Sequence, residues 1–167
     1  MWEMRVEQIR QGLADYRATG AELFRPYYLA LLAEAYGKGG QAAEGLTVLA
    51  EALATVEKTG ERFHEAELYR LKGELLLAQE GYRLQAVGYR EKIEEAEECF
   101  WKAIEIARRQ QAKSLELRAV TSLARLWQQQ GKKHEARQLL AEIYDWFTEG
   151  FDTKDLQETK TLLEELA

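Results

Sequence analysis

Proline and cysteine are nearly missing from this sequence. Among 167 residues there is one proline, Pro26, one cysteine, Cys99, and only 12 glycines. An all-β sandwich needs turn residues every few positions, so this composition leaves little room for that class. A lone cysteine forms no intramolecular disulfide, and a reducing compartment is the expected setting. Long apolar runs are missing too: stretches such as Leu75–Ala78 fall far short of a bilayer span. Met1–Gln11 carries charges throughout and holds no apolar core of signal-peptide length. Nor is there a dense basic run. With 23 basic against 29 acidic residues the net charge is −6, which argues against nonspecific nucleic-acid binding. The expectation is a cytoplasmic protein that meets neither membrane nor nucleic acid.

Recognisable chemistry is equally sparse. No Gly-x-x-x-x-Gly-Lys-Ser/Thr occurs, so there is no phosphate-cradling loop of that type. His64 and His134 are the only histidines. His64-x-x-Glu67 has a ligand-like spacing, but zinc needs three or four ligands, and a surface histidine near a helix start is the better reading. His134 follows Lys132 and Lys133, a poor place for a cation. Cys99 sits beside Glu98 on a helix whose apolar face includes Ala96, Phe100 and Ala103; neighbouring acids raise a thiol pKa, so it reads as a packed thiol. The run Glu94-Glu95-Ala96-Glu97-Glu98 belongs to the first turns of a helix, where acids complement the dipole. No catalytic, metal or cofactor constellation is complete, and the chain is expected not to be an enzyme.

What the sequence does have is helix formers and a repeat. Hydrophobic residues make up 46% and charged residues 31%, enough for a core and a soluble surface. Three segments align. The first holds Leu32-Ala33-x-x-Tyr36 and Gly45-x-x-x-Leu49-x-x-Ala52. The second holds Tyr69-x-x-Lys72-Gly73-x-x-Leu76 and Ala96-x-x-x-Phe100-x-x-Ala103. The third holds Leu123-Ala124-x-x-Trp127 and Ala136-x-x-x-Leu140-x-x-Ile143. Residues three or four apart share a helix face. The small residues Ala33, Gly73 and Ala124 therefore let a partner helix approach, and the large residues fill the space beside them.

This pattern resembles the tetratricopeptide repeat, whose signature has a small residue and an aromatic on its first helix and small-aromatic-small on its second. It departs from that family in lacking a closing proline, in replacing the starting tryptophan by Leu29, Tyr69 and Val120, and in exceeding the usual spacing of about 34 residues. The expected fold is all-α: a right-handed superhelix of about three helix pairs in one domain over 1–167. Its parts are a half repeat at 1–20, repeats at 21–60, 61–111 and 112–150, and a capping helix at 152–167. Helices are expected at 3–18, 21–37, 41–58, 61–80, 90–110, 112–130, 132–148 and 153–166. An insertion near 81–92, with Gly81, Gly88, Tyr82 and Tyr89, breaks the periodicity of the second repeat and reads as an exposed loop or as lengthened helices.

Longer strings carry a closer resemblance. Arg25-Pro26-Tyr27-Tyr28-Leu29-Ala30-Leu31-Leu32-Ala33-Glu34-Ala35-Tyr36, Glu65-Ala66-Glu67-Leu68-Tyr69-Arg70-Leu71-Lys72-Gly73-Glu74, and Trp146-Phe147-Thr148-Glu149-Gly150-Phe151-Asp152-Thr153 are three of them. They resemble the C-terminal repeat region of bacterial multidomain signalling proteins that join a nucleotide-cyclase-like domain, a P-loop ATPase and a helical-repeat tail. The resemblance implies a regulatory or scaffolding role without the cyclase or ATPase chemistry. The expectation is a segment of such a protein, which opening on half a repeat favours, or a short stand-alone relative.

The resemblance also implies a groove lined by the first helix of each pair. By helical phase the groove residues are Tyr27, Ala30 and Glu34, then Glu67, Arg70 and Glu74, then Arg118, Thr121, Ser122, Arg125 and Gln128. The carboxylate clamp of chaperone-binding relatives is not assembled, because the matching places carry Ala30, Glu34, Leu71, Arg118 and Ser122. A protein or peptide partner is expected, acidic if Arg70, Arg118 and Arg125 stay free of Glu67 and Glu74. The alternative is a small-ligand-sensing regulatory domain. Val6, Ile9 and Leu13 on the unpaired first helix are expected to keep one uncovered side, giving a weak homodimer through that end.

Overall fold

The computed structural model describes residues 1–79 and 88–167. Among the described residues there are eight α-helices and no strand: α1 (Trp2–Ala18), α2 (Arg25–Lys38), α3 (Ala42–Thr59), α4 (Glu65–Gln79), α5 (Tyr89–Arg109), α6 (Lys113–Gln129), α7 (Lys133–Tyr144) and α8 (Lys154–Glu165). The insertion lies mostly outside the described residues; its end, 89–92, forms the first turn of α5.

Three helix boundaries differ from expectation. Two helices start later, at Arg25 and Glu65, and α7 stops at Tyr144. For α2 the reason is Phe24, whose φ of 61° is left-handed, with Pro26 in the first helical turn. A bulky residue rarely holds that conformation, and here the surroundings impose it. The Phe24 N–H donates to both carboxylate oxygens of Glu61 at 3.0 and 3.1 Å, and the Tyr16 hydroxyl donates to the Leu23 carbonyl.

The small residues sit where helices come closest. Ala33, Ala124, Ala96 and Ala136 are wholly buried, as are Leu49, Phe100 and Leu140. The Phe100 ring lies over Gly73 so closely that a Cβ there would come within 2.5 Å of it. Leu75 occupies the corresponding space beside Gly45.

Successive helices touch throughout, and α2 also touches α4, α4 touches α6, and α6 touches α8. Among the described residues no two odd-numbered helices touch. The even-numbered helices thus form one continuous row, and the odd ones sit behind it. One apolar cluster joins α1 to α4, including Val6, Leu13, Leu32, Leu49 and Leu71. Another runs from α4 to α8, around Phe100, Leu123, Leu140 and Leu162.

Both ends are covered. Val6 and Leu13 are buried in the core shared with α2 and Ile9 packs partly against it, which corrects the expectation of an uncovered apolar side on α1. Trp2, the first residue of α1, lies beside the C-terminal end of α2, with the Lys38 amine 5.6 Å from its ring. At the other end α8 buries Leu156 and Leu162, and Leu166 just after it is buried too, while the outward residues Gln157, Lys160, Thr161 and Glu164 are exposed and polar. No described helix is long and apolar enough to cross a membrane.

Candidate functional site

The row of even helices carries an open cleft of about 260 Å³. Helix α2 contributes Glu34 and Lys38, α4 contributes Arg70 and Glu74, and α6 contributes Arg118, Thr121, Ser122 and Arg125. The last wall is Lys154, Asp155 and Glu158 of α8. Helical phase brings these residues to one face: Arg118, Ser122 and Arg125 are spaced by four and three residues, as are Arg70 and Glu74 by four.

The floor of the cleft is a connected set of ion pairs. Arg70, with 12% of its side chain exposed, donates from Nε and Nη2 to Glu67 at 2.8 and 2.7 Å and from Nη1 to Glu74 at 2.6 Å. The Ser122 hydroxyl donates to the same Glu74 oxygen at 2.8 Å. Arg118 reaches both ways, from Nη1 to Glu67 at 3.2 Å and from Nε to Asp155 at 2.9 Å. Arg125 donates to Glu158 at 3.0 Å, and the Thr121 and Thr159 hydroxyls meet at 3.1 Å.

Burial alone would disfavour the charges on Glu67 and Arg70. Their mutual hydrogen bonds and fields outweigh it, with help from Arg118 and Glu74: Glu67 is held below the usual carboxylate range and Arg70 is raised. Glu158 is also held low, chiefly by its hydrogen bond from Arg125. Such a network fixes side-chain positions before any partner arrives.

The structure therefore brings together Glu34, Glu67, Arg70, Glu74, Arg118, Thr121 and Arg125 from the sequence-derived set. Thr121 is buried and spends its hydroxyl on the Leu117 carbonyl and Thr159, so it joins α6 to α8. Tyr27 stands outside the cleft, its ring 4.7 Å from that of His64. Gln128 also lies outside it, donating to Glu165 at 3.3 Å in a neighbouring depression. The three arginines do share one side, but each holds a carboxylate, so the cluster is not free. Sequence reasoning did not assign Lys38 or the α8 residues Lys154, Asp155 and Glu158 to the groove. Only their helical phase could have signalled them, once α8 is taken as the next member of the even row.

Unspent hydrogen-bonding capacity remains. Among the described residues Arg118 Nη2, and Nε and Nη1 of Arg125, have no protein partner. The other candidate groups lie elsewhere. Cys99 is buried, and burial pushes its thiol up, away from thiolate chemistry. Glu95 pairs with Lys72 at 3.0 Å, and Glu97 accepts from the Trp127 indole at 2.9 Å. Among the described residues no group of three or more His, Cys, Asp and Glu side chains gathers as a metal site would need. No protein-family model matches the chain, and no curated protein does.

Proposed function

We propose that this chain is a tetratricopeptide-like interaction module that binds a peptide or protein segment along the row of even helices. In this reading it is a right-handed superhelix of helix pairs and a regulatory or scaffolding element of a bacterial cytoplasmic signalling protein, acting by binding and not by catalysis. The observation that carries the proposal is the single cleft to which α2, α4, α6 and α8 all contribute polar side chains. An open, charge-lined trough suits an extended chain that lies across several helices better than a metabolite that must be enclosed. The unspent N–H groups of Arg118 and Arg125 favour single hydrogen bonds to carboxylates on the partner.

A photoreactive residue in place of Glu34, compared with one in place of Glu105 on α5, tests the reading in extract of the source cell. Capture of a partner from position 34, and its loss in the Arg118→Ala, Arg125→Ala double variant and at raised salt, is the expected result. Equal capture from position 105 overturns the assignment of the face.

A further inference from the structure

Beside the cleft, where the connection from α7 to α8 passes the start of α6, lies a second depression of about 480 Å³. Its floor is apolar and buried, made by Leu117 of α6 and Leu156 of α8. Its wall is Trp146 and Phe147, whose rings meet edge to face at 5.1 Å. Trp146 is 57% exposed, with the Lys113 amine 5.8 Å from its ring centroid, and Phe147 beside it makes the two an exposed aromatic patch. Glu149 stands at the same depression, and among the described residues no hydrogen bond or ion pair engages its carboxylate. Asp155 lines both the depression and the charged cleft, so the two adjoin.

We infer that this depression is the anchor pocket for the same partner, taking one aromatic side chain that carries an N–H or O–H. The inference rests on the proposed interaction along the even helices and adds to it the chemistry of the partner. Each part of the surface asks for something different. The Trp146–Phe147 wall and leucine floor reward burial of a large flat side chain. Glu149 in the lining accepts a hydrogen bond and supplies none, which favours tryptophan or tyrosine over phenylalanine or leucine. Beyond Asp155, the spare N–H groups of Arg118 and Arg125 select a carboxylate. The partner is therefore a segment with tryptophan or tyrosine a few residues from an acidic residue. Linking two modest contacts on one chain raises affinity by effective concentration, without either contact being strong alone.

A displayed library of random dodecapeptides, selected on the full chain, provides the probe. The expected outcome is enrichment of sequences pairing tryptophan or tyrosine with a nearby aspartate or glutamate. For a synthetic peptide from that set, Trp146→Ala is expected to weaken binding about tenfold, corresponding to about 1.4 kcal/mol. Trp146→Phe restores most of that loss, and Glu149→Gln reduces the preference for tryptophan over phenylalanine. Trp146 is exposed, so the alanine variant is expected to keep the circular dichroism of the parent. Selected peptides that respond to Arg118→Ala and Arg125→Ala but not to Trp146→Ala would overturn the anchor pocket and leave the groove standing. Peptides indifferent to both sets of changes, or no enrichment at all, count against both.

Discussion

Glu67 is the side chain on which the most depends. It accepts from Arg70 and Arg118 together and is itself largely shielded, with 13% of its side chain exposed. Glu67→Gln removes the charge from the centre of the network and leaves Arg70 with Glu74 alone. We expect a loss of about 1.5–3 kcal/mol, the range for hydrogen bonds to charged groups, read from urea midpoints. Acid acts on the same groups. Glu67, Glu116 and Glu158 are all held below the ordinary glutamate range, so in acid the unfolded chain binds more protons than the folded one. Their stabilisation is complete above the ordinary value of about 4.3 and is lost as pH falls through the lowered values. The urea midpoint should therefore drop below that pH, and more shallowly in Glu67→Gln. A second residue, Gly73, tests the packing. Alanine gains about 1 kcal/mol in helix propensity. Its Cβ must however displace the wholly buried Phe100 ring, at a cost of about 1–3 kcal/mol for overpacking. A lower melting temperature for Gly73→Ala is the expected balance.

Between helices, the turns show how one geometry is met by different residues. Each connection into an even helix contains a residue with positive φ: Gly20, Gly60, Gln111 and Gly150. Three of the four are glycine, and the other is Gln111 at φ 55°. A side chain there costs about 1–2 kcal/mol, whereas glycine loses about 0.5–1 kcal/mol in chain entropy. Gln111→Gly should therefore stabilise the protein by about 0.5–1 kcal/mol, measured as an upward shift in melting temperature. The sequence made the helices legible because small and large residues recur on faces that do pack, as Ala33, Gly73 and Ala124 attest. It did not reveal the turn at 21–24, where Phe24 is forced left-handed by Glu61, a residue of the next repeat. The site divides the same way. The pairing of Arg70 with Glu67 and Glu74 follows from helix spacing, three and four residues apart, and was readable. Arg118 with Asp155 and Arg125 with Glu158 join residues more than thirty positions apart, and nothing local in the sequence marks such pairs.

Across the whole molecule, no described helix touches another more than two places away in the chain order. Stability then divides into local units and the interfaces between neighbours. Leu156, buried under the α7–α8 connection, belongs to the last interface. Leu156→Ala is expected to cost about 2–5 kcal/mol there. In hydrogen exchange the amides of α7 and α8 should lose protection while those of α1–α3 keep theirs. Uniform loss along the chain would mean that the array unfolds as a single block.

The same restriction of contacts to near neighbours governs how the protein forms. Closing a long loop before any reward arrives is what slows the folding of sheet proteins, and here no such closure is required. Each hairpin of helices can assemble on the one before it, so refolding on the order of microseconds to milliseconds follows for the chain. Under tension applied at its two ends, the array should yield one hairpin at a time, giving a staircase of small extensions in place of one abrupt rupture.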